Sequence, residues 1–222
     1  VGLWSAMTKA VGMPAYVVIN RGQTLAGPVV ESIESQGPDS PHVFISPAEA
    51  AAMVTPKSLL IVVDTHSQDF VESPELLDAC QRVVVIDHHR MMVRHIENAL
   101  VFYHEPYASS ASEMVAELVQ YLGENCLNRR EAGALLSGIT LDTKNFVLKT
   151  GVRTFEAAAY LRRRGADTVE VKRMFSDSID AYKKKYEIVS NAEISDNCAI
   201  ASAREEFSDV RVISAQAADE LL

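Results

Sequence analysis

The residues best suited to chemistry are acids and histidines that follow short apolar runs. Leu59-Leu60-Ile61-Val62-Val63 leads into Asp64-Thr65-His66, and Arg82-Val83-Val84-Val85-Ile86 leads into Asp87-His88-His89-Arg90. Apart from Arg82 at the start of the second, both runs are apolar at every position, the pattern of strands covered on both faces in a parallel sheet. Ligands in such sheets bind beyond the carboxyl ends of the strands. If the two strands pair, Asp64, His66, Asp87, His88 and His89 share one cleft. Carboxylates mixed with imidazoles suit a borderline divalent cation such as manganese, iron, cobalt or zinc. Successive residues of an extended chain point opposite ways, so His88 and His89 both reach one ion only if the backbone turns. One ligand, with its neighbour in a supporting or substrate-facing position, is the economical arrangement.

A third acid stands at the end of Leu135-Leu136-Ser137-Gly138-Ile139-Thr140-Leu141-Asp142. The small and apolar residues before it predict a buried helix, where a carboxylate is costly unless paired or bound to a cation. Local sequence leaves two readings of Asp142 open: a metal ligand, or a cap or ion-pair partner. Ser109-Ser110-Ala111-Ser112-Glu113 reads as a capping box that opens a helix. A helix start facing a cleft also attracts phosphate, which makes Ser109 and Ser110 candidate substrate contacts.

The elements that position these residues alternate along the first half of the chain. Strands are expected at 16–20, 42–46, 59–64, 82–87 and 99–103. Helices are expected at 3–13, 29–35 (closed by Gly37-Pro38), 47–53 and 74–79. Ser46-Pro47 supplies an N-cap followed by proline at the first helical position. Such alternation implies parallel strands joined by right-handed crossovers. Helical periodicity then takes over at 112–123, 129–141, 153–165, 167–176 and 179–191, and short strands are expected at 198–202 and 210–213. The basic triplets Arg162-Arg163-Arg164 and Lys183-Lys184-Lys185 read as solvated helix surface.

Composition bounds the function. The 222 residues are 48% hydrophobic and 23% charged, enough to build a sizeable core. Thirty acidic against twenty-one basic residues give a net charge of −9, which argues against duplex nucleic acid as a partner. No apolar run exceeds five residues, the length of Leu59–Val63, far short of the roughly 20 residues that cross a bilayer. Cys80, Cys126 and Cys198 form no CxxC pair and read as buried, reduced thiols of a cytosolic protein. The chain opens on Val1-Gly2-Leu3-Trp4 and closes on a helical pattern, so it is expected to be part of a longer protein.

Asp64, Asp87-His88-His89 and Asp142, in this order and on these elements, resemble the DHH phosphoesterase superfamily. Within it the chain is most similar to the GdpP-type cyclic-di-AMP phosphodiesterases. That resemblance runs through Val85-Ile86-Asp87-His88-His89-Arg90, Glu105-Pro106-Tyr107-Ala108-Ser109-Ser110 and Leu141-Asp142-Thr143-Lys144-Asn145-Phe146. It continues in Arg153-Thr154-Phe155-Glu156-Ala157-Ala158, in Arg163-Arg164-Gly165-Ala166-Asp167-Thr168-Val169, and in Ala215-Gln216-Ala217-Ala218-Asp219.

The resemblance implies an α/β fold. A DHH domain with a mainly parallel five-stranded sheet would span 1–178, a connecting helix 179–191, and the start of a smaller DHH-associated substrate-binding domain 192–222. It implies two Mn²⁺ ions, with Asp64 bridging them and His88 and Asp142 binding one. Asp87 would orient His88, while His89, with Arg90, would face the phosphate. In-line attack by a metal-bound hydroxide would open cyclic-di-AMP to linear 5′-pApA. The same superfamily holds oligoribonucleases and pAp phosphatases, and a nucleotide-sensing module without turnover is the alternative of another class. The family's first motif, His-x-x-x-Asp-x-Asp, and its later Gly-rich His motif are absent from these 222 residues. Alone, the 222 residues are therefore expected to bind metal poorly and to be inactive. By the same resemblance the full-length protein is anchored in the bacterial membrane, with this part on the cytoplasmic face and a homodimer as one assembly.

Overall fold

The structure is a computed structural model that describes the chain except residues 23, 25, 36–42, 124, 176–178 and 204–209. It divides into two compact units, Val1–Met174 and Phe175–Leu222. The expected Gly37-Pro38 stop, the first residue of the 42–46 strand and the last residue of the 167–176 helix lie outside the described residues.

In the first unit, helices and strands alternate as the apolar patterns require. The order is α1 (Gly2–Lys9), β1 (Val17–Val18), α2 (Gly27–Glu34), β2 (Phe44–Ile45), α3 (Pro47–Met53), β3 (Leu60–Val63), α4 (Pro74–Ala79), β4 (Val83–Asp87) and β5 (Val101–His104). Four helices follow: α5 (Ala111–Gln120), α6 (Arg129–Asp142), α7 (Val152–Arg163) and α8 (Thr168–Met174). All five strands pair in parallel, in two hydrogen-bonded groups, β1-β2 and β3-β4-β5. β3 therefore edges its ladder among the described residues, although its sequence reads as a central strand. Its outer side lines a cleft of about 1300 Å³ shared with Val17 and Val18 of β1.

Local chemistry sets the helix starts. Ser46 accepts the Glu49 amide while the Glu49 carboxylate returns to the Ser46 amide, with Pro47 at the first helical position. Asn128 and Glu131 form the same reciprocal cap on α6. Each such cap is worth about 1 kcal/mol. The largest apolar cluster joins α1, α5, α6, α7 and α8 through Val115, Val119, Leu136, Ile139 and Leu161. A second lies along β3 and β4 and includes Val62, Leu76, Val85 and Ile96. Val85, Ile139 and Leu161 are wholly buried, and each full burial contributes about 1.5–3 kcal/mol.

The second unit holds α9 (Ile179–Ser190), the antiparallel pair β6 (Glu193–Ser195) and β7 (Cys198–Ile200), and α10 (Val210–Glu220). Asp196 and Asn197 both have positive φ, as a two-residue hairpin turn demands. Ile188, Ile213 and Ala217 form its core. The strand expected at 210–213 is instead the first turn of α10. Its β-branched run is overridden by burial at Ile213 and Ala217, four apart on one helix face. Of the three cysteines, Cys80 and Cys126 are buried but Cys198 is exposed, because its hairpin has little covering it.

No helix among the described residues is long and apolar enough to cross a membrane.

Candidate metal centre

β3 and β4 pair in register, Val63 opposite Ile86, so the two acid-rich ends lie side by side. Asp64 leaves the strand with φ of 65°, a left-handed conformation that aspartate tolerates better than most residues. Its amide still donates to the Ile86 carbonyl at 3.0 Å, so the turn is made while the ladder holds.

Asp87 is the last residue of β4 and is completely buried. Its Oδ1 accepts the His88 amide at 2.9 Å, the His89 amide at 3.3 Å and His89 Nδ1 at 2.8 Å. Its Oδ2 pairs with His66 Nδ1. The carboxylate thus closes a turn around itself and supplies the backbone change that two adjacent histidines need to face one place. Burial pushes the Asp87 carboxyl up, but the hydrogen bonds from His89 and His66 and the charge of His89 outweigh it. The net direction is down, and Asp87 is held ionised.

His88 is nearly buried, at 6% exposure. Its Nε2 lies 3.4 Å from Asp64 Oδ1 and 3.5 Å from Asp142 Oδ2. The contact with Asp64 raises its pKa above the ordinary imidazole value. Burial opposes this, and the charges of Asp64 and Asp142 and the Ala108 backbone add to the rise. The Asp142 carboxyl, at the last residue of α6, is also pushed up, first by burial and then by the Asp64 charge. His88, His89 and Lys149 pull the other way. Two carboxylates therefore crowd one imidazole, and burial together with the Asp64 charge raises the cost of ionising Asp142, a field that a cation relieves.

One ligand atom each from Asp64, His88 and His89 lie within 4.8 Å of one another. That group is one carboxylate and two imidazoles, and Asp142 joins it from α6 through His88; carboxylates mixed with imidazoles fit a divalent metal ion. The structure thus brings Asp64, His88 and His89 together, with Asp142 against His88 and Asp87 behind both histidines. Arg90 follows directly and is exposed.

Ser109 and Ser110 are placed differently. Both are buried. The Ser109 hydroxyl donates to Glu113 Oε2 at 2.5 Å, and Ser110 Oγ accepts the Glu113 amide at 3.0 Å. Their hydroxyls are committed to capping α5 and to the buried Glu113 carboxylate, so side-chain contact with a substrate does not follow from this geometry.

His66 is the residue whose part the sequence left unassigned. It lines the cleft with Asp64, Thr65, Asp87 and His89, but its polar contacts run inward. Its Nε2 accepts the Met92 amide at 2.9 Å, and its own carbonyl accepts the Ile96 amide at 2.9 Å. Nearby, His104 Nε2 donates to the His89 carbonyl at 2.5 Å from the end of β5. Spacing from Asp64 was a signal that His66 belongs to the site, but its partners lie twenty or more residues away.

A parallel α/β sheet with an acid–imidazole cluster at its carboxyl edge defines the class, and comparison with known proteins agrees. The profile of the DHH family, N-terminal domain, matches residues 3–139, more than half of the chain. The chain belongs to the DHH family. It is 42% identical to the cyclic-di-AMP phosphodiesterase PdeA of Listeria monocytogenes over 94% of its own length and 32% of that protein. It is 45% identical to the cyclic-di-AMP phosphodiesterase GdpP of Bacillus subtilis over 81% of its own length and 28% of that protein. The chain thus spans about a third of the length of these curated relatives. Among solved structures, an exopolyphosphatase-related protein from Bacteroides fragilis matches 87% of this chain and 56% of its own, with a TM-score of 0.68 and 15% identity. That likeness is one of fold.

Proposed function

We propose that this chain is the metal-binding part of a phosphodiesterase that opens cyclic-di-AMP to linear 5′-pApA. The observation that carries the reading is the convergence of Asp64 and Asp142 on His88 Nε2 at the carboxyl end of β3 and β4. The names of relatives 42% and 45% identical supply the substrate.

Asp64, His88 and Asp142 would hold the ion, and Mn²⁺ is the one proposed, with a second completed by groups beyond this donor set. A divalent cation there would supply charge neutralisation at phosphorus and would acidify a water for in-line displacement. The chain's own residues do the rest. Asp87 stays ionised and fixes the turn that presents His88 to the ion. It also holds Nδ1 of His89, which leaves Nε2 of that exposed ring for a phosphate oxygen. Arg90 adds a permanent positive charge at the open side, suited to a phosphodiester. The 1–178 and 192–222 division, with its substrate-binding second part, belongs to the same proposal, as do a membrane anchor elsewhere in the protein and a homodimer.

The test is hydrolysis by the full-length protein with Mn²⁺, offered cyclic-di-AMP, cyclic-di-GMP and pApA separately, with products resolved by chromatography. Conversion of cyclic-di-AMP to pApA, with slower loss of pApA, is expected. Preferential release of AMP from pApA would replace this reading with an oligoribonuclease, and binding without turnover of any of the three would replace it with a sensing module.

A further inference from the structure

His66 is 1% exposed and bonded through both ring nitrogens. The directions of those bonds are determined. A backbone amide only donates, so the Met92 amide at 2.9 Å requires an unprotonated Nε2. The proton then sits on Nδ1 and is donated to Asp87 Oδ2. His66 is a neutral imidazole in a single tautomer, packed edge-on to Phe102 and His104.

We propose that His66 is a positioning residue for the metal centre, acting through Asp87; the inference rests on the metal-binding reading above. The reasoning is geometric. Asp87 Oδ1 gathers the His88 amide, the His89 amide and His89 Nδ1. A carboxylate anchored through one oxygen can still rotate about its last torsion. His66 holds the second oxygen and removes that freedom, so the turn that aims His88 Nε2 between Asp64 and Asp142 has one orientation. The opposite side of the ring ties the same turn to the following segment: Met92 through Nε2, and Ile96 through the His66 carbonyl. Oδ1 of Asp87 already has three donors, and His66 supplies the one on its buried Oδ2. What it adds is direction, the property that partners behind a metal ligand supply, and losing such a partner costs roughly 10–100-fold in metal affinity.

Two substitutions separate the two bonds. The amide nitrogen of His66→Asn occupies the place of Nδ1 and keeps the bond to Asp87, but it cannot reach the Met92 amide. The side chain of His66→Gln reaches the Met92 amide but no longer donates to Asp87. Mn²⁺ affinity is read by calorimetry on the full-length protein and each variant, with thermal unfolding in chelator as the fold control and kcat and KM at saturating Mn²⁺ as a second readout. His66→Asn is expected to stay within about threefold of the parent affinity, and His66→Gln to lose about tenfold or more. KM for the dinucleotide is expected to be unchanged in both, because His66 does not face it.

Equal affinities in the two variants, or losses that follow only their thermal stability, would overturn the positioning role. If His66→Gln does not fold, His66→Asn decides alone: retained affinity supports the role and a tenfold loss overturns it. Failure of the parent protein to bind Mn²⁺ would instead overturn the metal reading, and this inference with it.

Discussion

His66 and His88 both contact the Asp87 neighbourhood and both are almost wholly buried, yet they are satisfied in opposite ways. Each nitrogen of His66 has a partner, one amide and one carboxylate. His88 has a buried Nδ1 with no well-formed hydrogen bond, only the Ala108 backbone near the ring, and its Nε2 stands 3.4 Å and 3.5 Å from two carboxylates, too far for tight bonds to either. The comparison separates a histidine that builds the site from one that is held ready within it, and Asp87 is the joint between them.

The largest effect is expected at that joint. Asp87→Ala strands the His66 proton and the His88 and His89 amides in a buried place. A loss of about 3–5 kcal/mol in denaturant unfolding is expected, together with loss of Mn²⁺ binding. A cleft position at a strand end suggests a replaceable acid, but Asp87 is completely buried at the end of β4, so the fold depends on it.

Replacement of His88 sharpens the contrast. His88→Gln should lower Mn²⁺ affinity more than about 100-fold, beyond what an outer partner costs, and should abolish turnover. In chelator its unfolding free energy should change by about 1 kcal/mol or less, since few bonds are lost. A large loss of stability without loss of metal affinity would make His88 the structural residue of the pair.

Acid titration tests the ionised state of Asp87. Its pKa is lowered in the folded protein, so its stabilisation is fully present above the unfolded value of about 3.9. That stabilisation is lost as pH falls through the lower folded value. In chelator, Asp87→Asn should flatten the fall in stability below about pH 4 relative to the parent, read by unfolding midpoints across pH. A parallel fall in both would show that other carboxylates set the acid limb.

The smallest effect is expected away from the cluster. Ser110→Ala removes the cap of α5 and should cost about 1 kcal/mol, with KM for cyclic-di-AMP unchanged. A KM rise of tenfold without that loss would return Ser110 to the substrate site.

Much of this arrangement was legible in the sequence, because apolar runs ending in acids place those acids at one edge of a parallel sheet. β3 and β4 were read within one residue of their observed bounds, and the Ser46 and Ser110 caps were evident from side chains that compete for free amides. What was not legible depends on distant contacts. The 210–213 run carries β-branched residues in either state, and only packing of Ile213 and Ala217 decides for helix. The edge position of β3 follows from which strands pair, and an all-apolar run is silent on that. His66 stood in view two residues after Asp64, but a bond to Asp87 and a bond to Met92 are products of the register between β3 and β4. The burial of Ser109 likewise follows from Glu113 turning inward.

The central claim is that Asp64, His88 and Asp142 hold one divalent ion. Anomalous diffraction from crystals of the full-length protein grown with Mn²⁺ tests it directly. The account predicts a manganese peak bonded to His88 Nε2 and to carboxylate oxygens of Asp64 and Asp142, with Asp87 off the metal and bound to His66. A peak elsewhere, or His88 bonded only to the two carboxylates with no metal between them, would contradict it.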